Sequence, residues 1–206
     1  TGLSTGLGAQ FIFETRDQVL NPMKGSFHQL GTMHYLEAFG GDFTFHSFLL
    51  DARRYLNVRQ NHTLALRSVV NLRYASGEIP MRGLSRIGGR DLVRGYFQGT
   101  YQDNHLLALE AEYRLPFWQE GVTAPLGQFW KRLGLVVFGS AAQVAPEVEA
   151  FSAGRFHYAA GAGLRVLFNT QSRVNLRIDY AFGLSPDSAG PGKRQSGLYF
   201  FLGEAF

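Results

Sequence analysis

Cysteine is absent from the 206 residues, which removes disulfide frameworks, thiolate metal sites and cysteine nucleophiles. Lysine is nearly absent: Lys24, Lys131 and Lys193 are the whole complement. Charged residues are 17% of the chain, against roughly 25% in an average soluble domain. The formal charge of +4 therefore rests on arginines. These are scattered singly along the chain instead of forming a basic stripe, so no nucleic-acid partner is expected. No run of about 18 apolar residues is present, which excludes a membrane-spanning helix. The six histidines (His28, His34, His46, His62, His105, His157) lack metal-ligand spacing and read as neutral lumen residues, with no metal and no cofactor expected. Gly2-Leu3-Ser4-Thr5-Gly6 matches G-x-S-x-G, but the strand-turn-helix context of a nucleophile elbow is missing. Glu110 and Glu112 stand two apart as an acid/base pair would, yet same-face neighbours on a strand are better explained as partners of Arg67, Arg114 or Arg165. No enzymatic activity is expected.

What is present is glycine (25 residues), aromatics (14%) and a mean hydropathy of −0.09, the balance of finely interleaved apolar and polar residues. Leu64, Leu66, Val70, Leu72 and Tyr74 oppose Arg67, Asn71 and Arg73. Leu107, Leu109, Ala111, Tyr113 and Leu115 oppose Glu110, Glu112 and Arg114, and Leu176, Ile178 and Tyr180 oppose Asn175, Arg177 and Asp179. Period 2 is the signature of a strand. It predicts nine strands, over 6–16, 26–39, 42–58, 62–76, 105–118, 133–144, 156–169, 174–182 and 195–206, of roughly the length that crosses a bilayer at a tilt. An apolar face on every strand would aggregate a soluble protein. In lipid it is required, and only a closed barrel satisfies every strand's backbone there. The fold class expected is all-β, an antiparallel transmembrane β-barrel. Trp118, Phe129 and Trp130 read as part of an aromatic girdle at one rim.

Connection lengths alternate. Segments 187–194, 150–155, 77–104 and 39–41 fall at one end of the strands, and 170–173, 119–132, 59–61 and 18–24 at the other. Barrels of the bacterial outer membrane keep short turns in the periplasm and longer loops outside, which predicts a periplasmic C-terminus and an extracellular loop 77–104. That loop carries Gly88-Gly89 and Val93-Arg94-Gly95-Tyr96, an arginine among glycines and aromatics. Long loops of this kind tend to be functional.

Four motifs in order resemble the C-terminal barrel region of the BamA/TamA outer-membrane assembly superfamily, the bacterial surface antigen family. Thr15-Arg16-Asp17 with Asn21-Pro22 and Gly25 is similar to its D-R-D…P-x-x-G turn. Gly88-Gly89 with Val93-Arg94-Gly95-Tyr96 resembles the signature of its sixth extracellular loop. Glu112-Tyr113-Arg114-Leu115-Pro116 resembles the close of the next strand, and Phe200, Leu202, Gly203 and Phe206 resemble the C-terminal assembly signal. The resemblance spans nearly the whole chain and implies about nine C-terminal strands of a sixteen-stranded barrel, preceded in the family by POTRA domains. The chain begins at Thr1 without Met and reads as a mature or partial chain. Residues 1–206 are then one outer-membrane barrel domain.

The resemblance also implies that loop 77–104 folds into the barrel, with Arg94 on an acidic residue of the wall. The family's F-x-D-x-G partner pattern falls on Phe138-Gly139-Ser140-Ala141-Ala142, where Ser140 replaces the Asp and Ala142 the Gly. The candidate partners for Arg94 are therefore Ser140, Glu110, Glu112 and Asp179. The function implied is outer-membrane protein assembly, insertion or translocation through a barrel with a weak seam, at which segment 195–206 templates an incoming strand. The alternatives are a two-partner secretion pore and a membrane anchor for an upstream domain. Partners implied are outer-membrane lipid, nascent outer-membrane proteins and accessory lipoproteins.

Overall fold

A computed structural model describes residues 2–116, 132–169, 173–185 and 194–206. Trp118, Phe129 and Trp130 lie outside the described residues. Nine long strands form one antiparallel sheet in chain order: β1 (Gly6–Glu14), β2 (Gly25–Tyr35), β3 (Phe45–Arg59), β4 (His62–Ala75), β7 (His105–Pro116), β8 (Leu133–Ala145), β9 (His157–Asn169), β10 (Val174–Gly183) and β11 (Ser196–Leu202). Between β4 and β7 the loop is not structureless as the sequence suggests. It holds a two-stranded stalk, β5 (Ser85–Ile87) and β6 (Tyr101–Asp103), and the glycine-rich stretch 88–100 is its tip.

Register fixes the two faces, because side chains alternate with period 2. Arg67 pairs with Glu110, Glu110 with Ser140, and Ser140 with Ala159, all on one face. That inner face carries the buried polar residues Asp51, Glu110, Glu112, Arg114, Arg165, Arg177 and Asp179. The outer face carries Phe11, Leu30, Phe48, Leu66, Leu109, Leu164, Tyr180 and Phe200, all exposed. This is apolar-out, polar-in patterning, the reverse of a soluble core.

The sheet curls. At the end that bears the 60–61 turn, residues far apart across the sheet meet. Arg173, just before β10, reaches Asp17 after β1 at 3.2 Å. Glu204, after β11, donates its N–H to the Leu20 carbonyl (3.1 Å). We call this the turn rim and the opposite end the loop rim. β1 and β11 are the sheet's two edges and are not laddered to each other.

The structure departs from the sequence pattern at the tail and at the histidines. The pattern carries the last strand to 206, which would place Phe206 with Phe200 and Leu202 on the lipid-facing side. The strand instead ends at Leu202, the chain turns at Gly203 (φ 95°), and Phe206 is buried inside, against Tyr55 and Ala65. Continued pairing would put the Glu204 carboxylate on the apolar face, at a desolvation cost that the turn avoids. The histidines are also not lumen residues in general. Register puts His28, His34, His46, His62 and His105 on the outer face, and only His157 inside.

Candidate functional site

The loop tip lies on the inner face of β7 to β10. Val93 and Tyr96 are buried with Ile87 against Val69, Leu106, Ala108, Ala142 and Ala159. Alanines on the wall leave the room that these larger side chains fill. Backbone geometry at the tip is unusual. Val93 has φ 57°, a region that a β-branched residue enters only when its surroundings hold it there. Here the Glu110 carboxylate accepts the Val93 N–H (2.9 Å). Gly95 has φ 115°, and a Cβ there would meet the Phe182 backbone at 2.7 Å, so the position admits glycine alone. Its N–H donates to the Tyr199 hydroxyl (3.0 Å).

Arg94 is 3% exposed. Its Nη2 donates to Glu112 Oε2 (2.7 Å), its Nη1 to Asp179 Oδ2, and its guanidinium stacks 3.5 Å from the centre of the Phe138 ring. Glu112 is on β7 and Asp179 on β10, so one side chain spans the wall across β8 and β9. Charge-assisted bonds of this kind are stronger than neutral ones and geometrically selective. Burial disfavours the Arg94 cation, but Glu112, Asp179 and Glu110 outweigh it and hold the guanidinium above its usual range.

The carboxylates around Arg94 are shared. Glu112 Oε1 also accepts from Arg114 Nε (2.8 Å), and Arg165 Nη2 lies 3.6 Å away. Asp179 also accepts from Arg165 Nη1 (2.5 Å), and Arg177 Nε is 3.3 Å from it. Gly163 makes this possible, since a Cβ there would sit 2.0 Å from Asp179 Oδ1. The chain of charges continues to the C-terminal tail. Arg165 Nε donates to Glu204 (2.8 Å), and Arg114 Nη2 donates to the Phe206 carbonyl (3.1 Å). Arg114 Nη1 also donates to the Pro22 carbonyl (3.1 Å). Loop tip, wall, tail and the 15–24 turn thus share one buried ionic network.

Two carboxyls outside the strands, Glu204 of this network and Asp17 of the 15–24 turn, have shifted acidities. Burial pushes the Glu204 carboxyl up, but Arg165 and Arg114 more than offset it and hold it below its ordinary value. Asp17 is likewise lowered: its desolvation is overcome by the Met23 and Lys24 N–H groups and by Arg173.

A second ionic chain grips the loop from β3 and β4. Asp51 binds Arg53 (2.6 Å) and Arg67 (2.8 Å), and Arg67 reaches Glu110 (3.3 Å) and the Asp91 carbonyl (2.7 Å). Tyr96 donates its hydroxyl proton to the Tyr158 carbonyl (2.7 Å), and its ring fills the space above Gly183. The Phe97 N–H donates to Gln195 Oε1 (2.7 Å).

Of the four candidate partners, Glu112 and Asp179 bind the Arg94 side chain. Glu110 takes the neighbouring backbone N–H instead. Ser140 stands opposite Glu110 and Ala159 and is not bonded to Arg94, because its hydroxyl lies one register pair beyond Phe138. Gly88 (φ 104°) and Gly89 (φ 94°) turn the tip, and the Gly89 N–H donates to the Tyr96 carbonyl (2.9 Å). Phe200 and Leu202 face outward and exposed, whereas Gly203 and Phe206 belong to the inward tail. Sequence reading missed Asp51, Glu204 and Tyr199. Asp51 was legible from parity. A charged residue three positions from the end of an apolar alternation was the available signal for Glu204.

A search of curated proteins returned no match. Among solved structures, BamA from Haemophilus ducreyi lacking POTRA domains 1-3 superposes with a TM-score of 0.71 at 14% identity, over 95% of this chain and 41% of that one. CdiB from Acinetobacter baumannii superposes with a TM-score of 0.59 at 17% identity, over 94% of this chain and 32% of that one. The chain spans less than half the length of either, and both likenesses concern the fold. The Omp85 superfamily domain model matches residues 1–206, so the chain belongs to the Omp85 superfamily of outer-membrane proteins.

Proposed function

We propose that this chain is the C-terminal part of an outer-membrane barrel that inserts or translocates other polypeptides, with loop 77–104 as a lid held inside the lumen. The observation that carries the reading is Arg94, buried between Glu112 and Asp179 on the inner wall. A loop tip so held braces the barrel from within. The turn rim, with the C-terminus, faces the periplasm. The edge of β11 is the template at which an incoming strand adds by backbone pairing, and Phe200, Leu202, Gly203 and Phe206 act as the chain's own assembly signal. No step calls on a catalytic residue. Outer-membrane lipid, nascent outer-membrane proteins and accessory lipoproteins are the partners this role calls for.

Depletion of the protein tests this. Other outer-membrane proteins should accumulate unfolded in the periplasm, and the Arg94→Ala variant should fail to restore them. Normal assembly in depleted cells would end the insertion reading. The likeness to CdiB supports a second reading, a two-partner secretion pore. In that case depletion blocks export of one secreted partner and leaves general assembly intact.

A further inference from the structure

We propose that His34 and His46 form a divalent-metal site for an imidazole-favouring ion such as Zn²⁺ or Cu²⁺, at the loop rim of the outer face. The two residues are register partners on β2 and β3. Their Nδ1 atoms are 2.8 Å apart, with ring centres at 4.9 Å. Two imidazole nitrogens thus point at one another with a single proton to share.

A metal ion fits this arrangement once the rings open and turn to bring both lone pairs onto it. Nitrogen ligands about 2.0–2.1 Å from a tetrahedral ion stand about 3.3 Å apart, so the pair need open by only about half an ångström. Both rings are half-buried at the ends of their strands, where side-chain torsions can supply that shift and water can complete the coordination shell. The remaining ring nitrogen of His34 is already engaged, with Nε2 3.0 Å from Thr32 Oγ1. In the tautomer whose Nε2–H donates to Thr32, Nδ1 is a bare lone pair, as a metal ligand needs. On His46 the shared proton moves from Nδ1 to Nε2 as the ion binds, so neither ring becomes charged. Phe48 packs edge-on against His34 at 6.0 Å and walls the site on one side.

Two other outer-face histidines are differently occupied. His62 is bonded to the Tyr113 hydroxyl (2.9 Å), and His105 accepts the Arg73 N–H (3.3 Å). Imidazole pairs favour Cu²⁺ and Zn²⁺ over Mg²⁺ and Ca²⁺, which prefer oxygen. A bound ion would cross-link β2 to β3, beside the edge strand β1 that β2 alone holds.

The test is titration of the intact protein in detergent micelles with Cu²⁺ alone, followed by electron paramagnetic resonance, with Zn²⁺ as competitor. One ion per chain is expected, with hyperfine structure from two imidazole nitrogens. His34→Ala and His46→Ala should each weaken binding at least about tenfold. His46→Asn, which keeps a polar partner for His34 and hence the local fold, should do the same. Thr32→Val should weaken it by up to about tenfold, as loss of an outer-shell partner does, and His62→Ala should bind as the unaltered protein does. Unchanged affinity in His46→Asn, or a spectrum with one nitrogen, would overturn the proposal.

Discussion

The inner face has two halves built from the same alternation, and they are finished differently. Along β7 to β10 every charge is enclosed: Glu112 and Asp179 are 0% exposed and Arg177 is 1%. Along β1 and β2 the inner face carries Gln10 and Gln29, next to a cavity of about 360 Å³ lined also by Ser47 and Asn71, and its one charge, Glu14, stands at the turn rim bound to Arg16 (2.5 Å). All nine residues of β1 are exposed. The difference lies in what covers the wall. The chain folds its own loop and tail over the first half, and among the described residues nothing covers the second. Charged residues gather where the cover is protein, because there each guanidinium and carboxylate needs a fixed partner. Glutamine and asparagine predominate where neither loop nor tail lies over the wall.

The largest effect should come from removing the carboxylate at the hub. Glu112→Gln removes the one carboxylate common to Arg94, Arg114 and Arg165. Breaking a buried pair in this way costs about 3–5 kcal/mol, measurable as a lowered urea midpoint for the folded protein in micelles. Gln29→Ala on the open half should stay within about 0.5 kcal/mol. Equal costs in the two halves would dissolve the comparison.

Arg94→Ala should free the tip without unfolding the wall. Amides of 88–100 should exchange faster with deuterium and the loop should be cut sooner by protease, while β1 and β2 amides stay unchanged. Arg94→Lys should not restore protection, since an ammonium cannot reproduce a fork between two carboxylates. Gly163→Ala is smaller in volume but sits at the crowded centre, where a Cβ collides with Asp179. A cost of about 1–3 kcal/mol is expected, against almost none for Gly31→Ala, whose nearest neighbour is 3.7 Å away.

The smallest effect is one of pH. The Glu204 carboxyl is lowered in the folded protein, so its contribution is fully present above its ordinary value near 4.5 and is lost as pH falls through the folded value. Tail docking, followed by fluorine NMR of a labelled Phe206, should hold at neutral pH and loosen only in acid. Glu204→Gln should remove most of that dependence.

Much of this was legible beforehand, for identifiable reasons. The strands of β4, β7 and β10 could be read because their outer faces must be apolar in lipid, which enforces strict alternation. The inward charges followed from the same parity. The two carboxylates that hold Arg94 could be narrowed to a few candidates but not chosen, since the choice depends on where the tip settles between β7 and β10. The inward tail was not readable as strand pattern, because one glycine at 203 reverses the parity of everything after it. The β5–β6 stalk was missed because three-residue strands are too short to show a period.

Directions along the sheet carry one more consequence. Neighbouring strands alternate in direction, so the first and the ninth point the same way. Joined to each other, β1 and β11 would form a parallel pair in an otherwise antiparallel wall. A second copy in the same membrane orientation would meet the same mismatch at both junctions. Outer-membrane barrels of one chain have an even number of antiparallel strands, so an all-antiparallel ring that contains this sheet must place an odd number of further strands between its two edges.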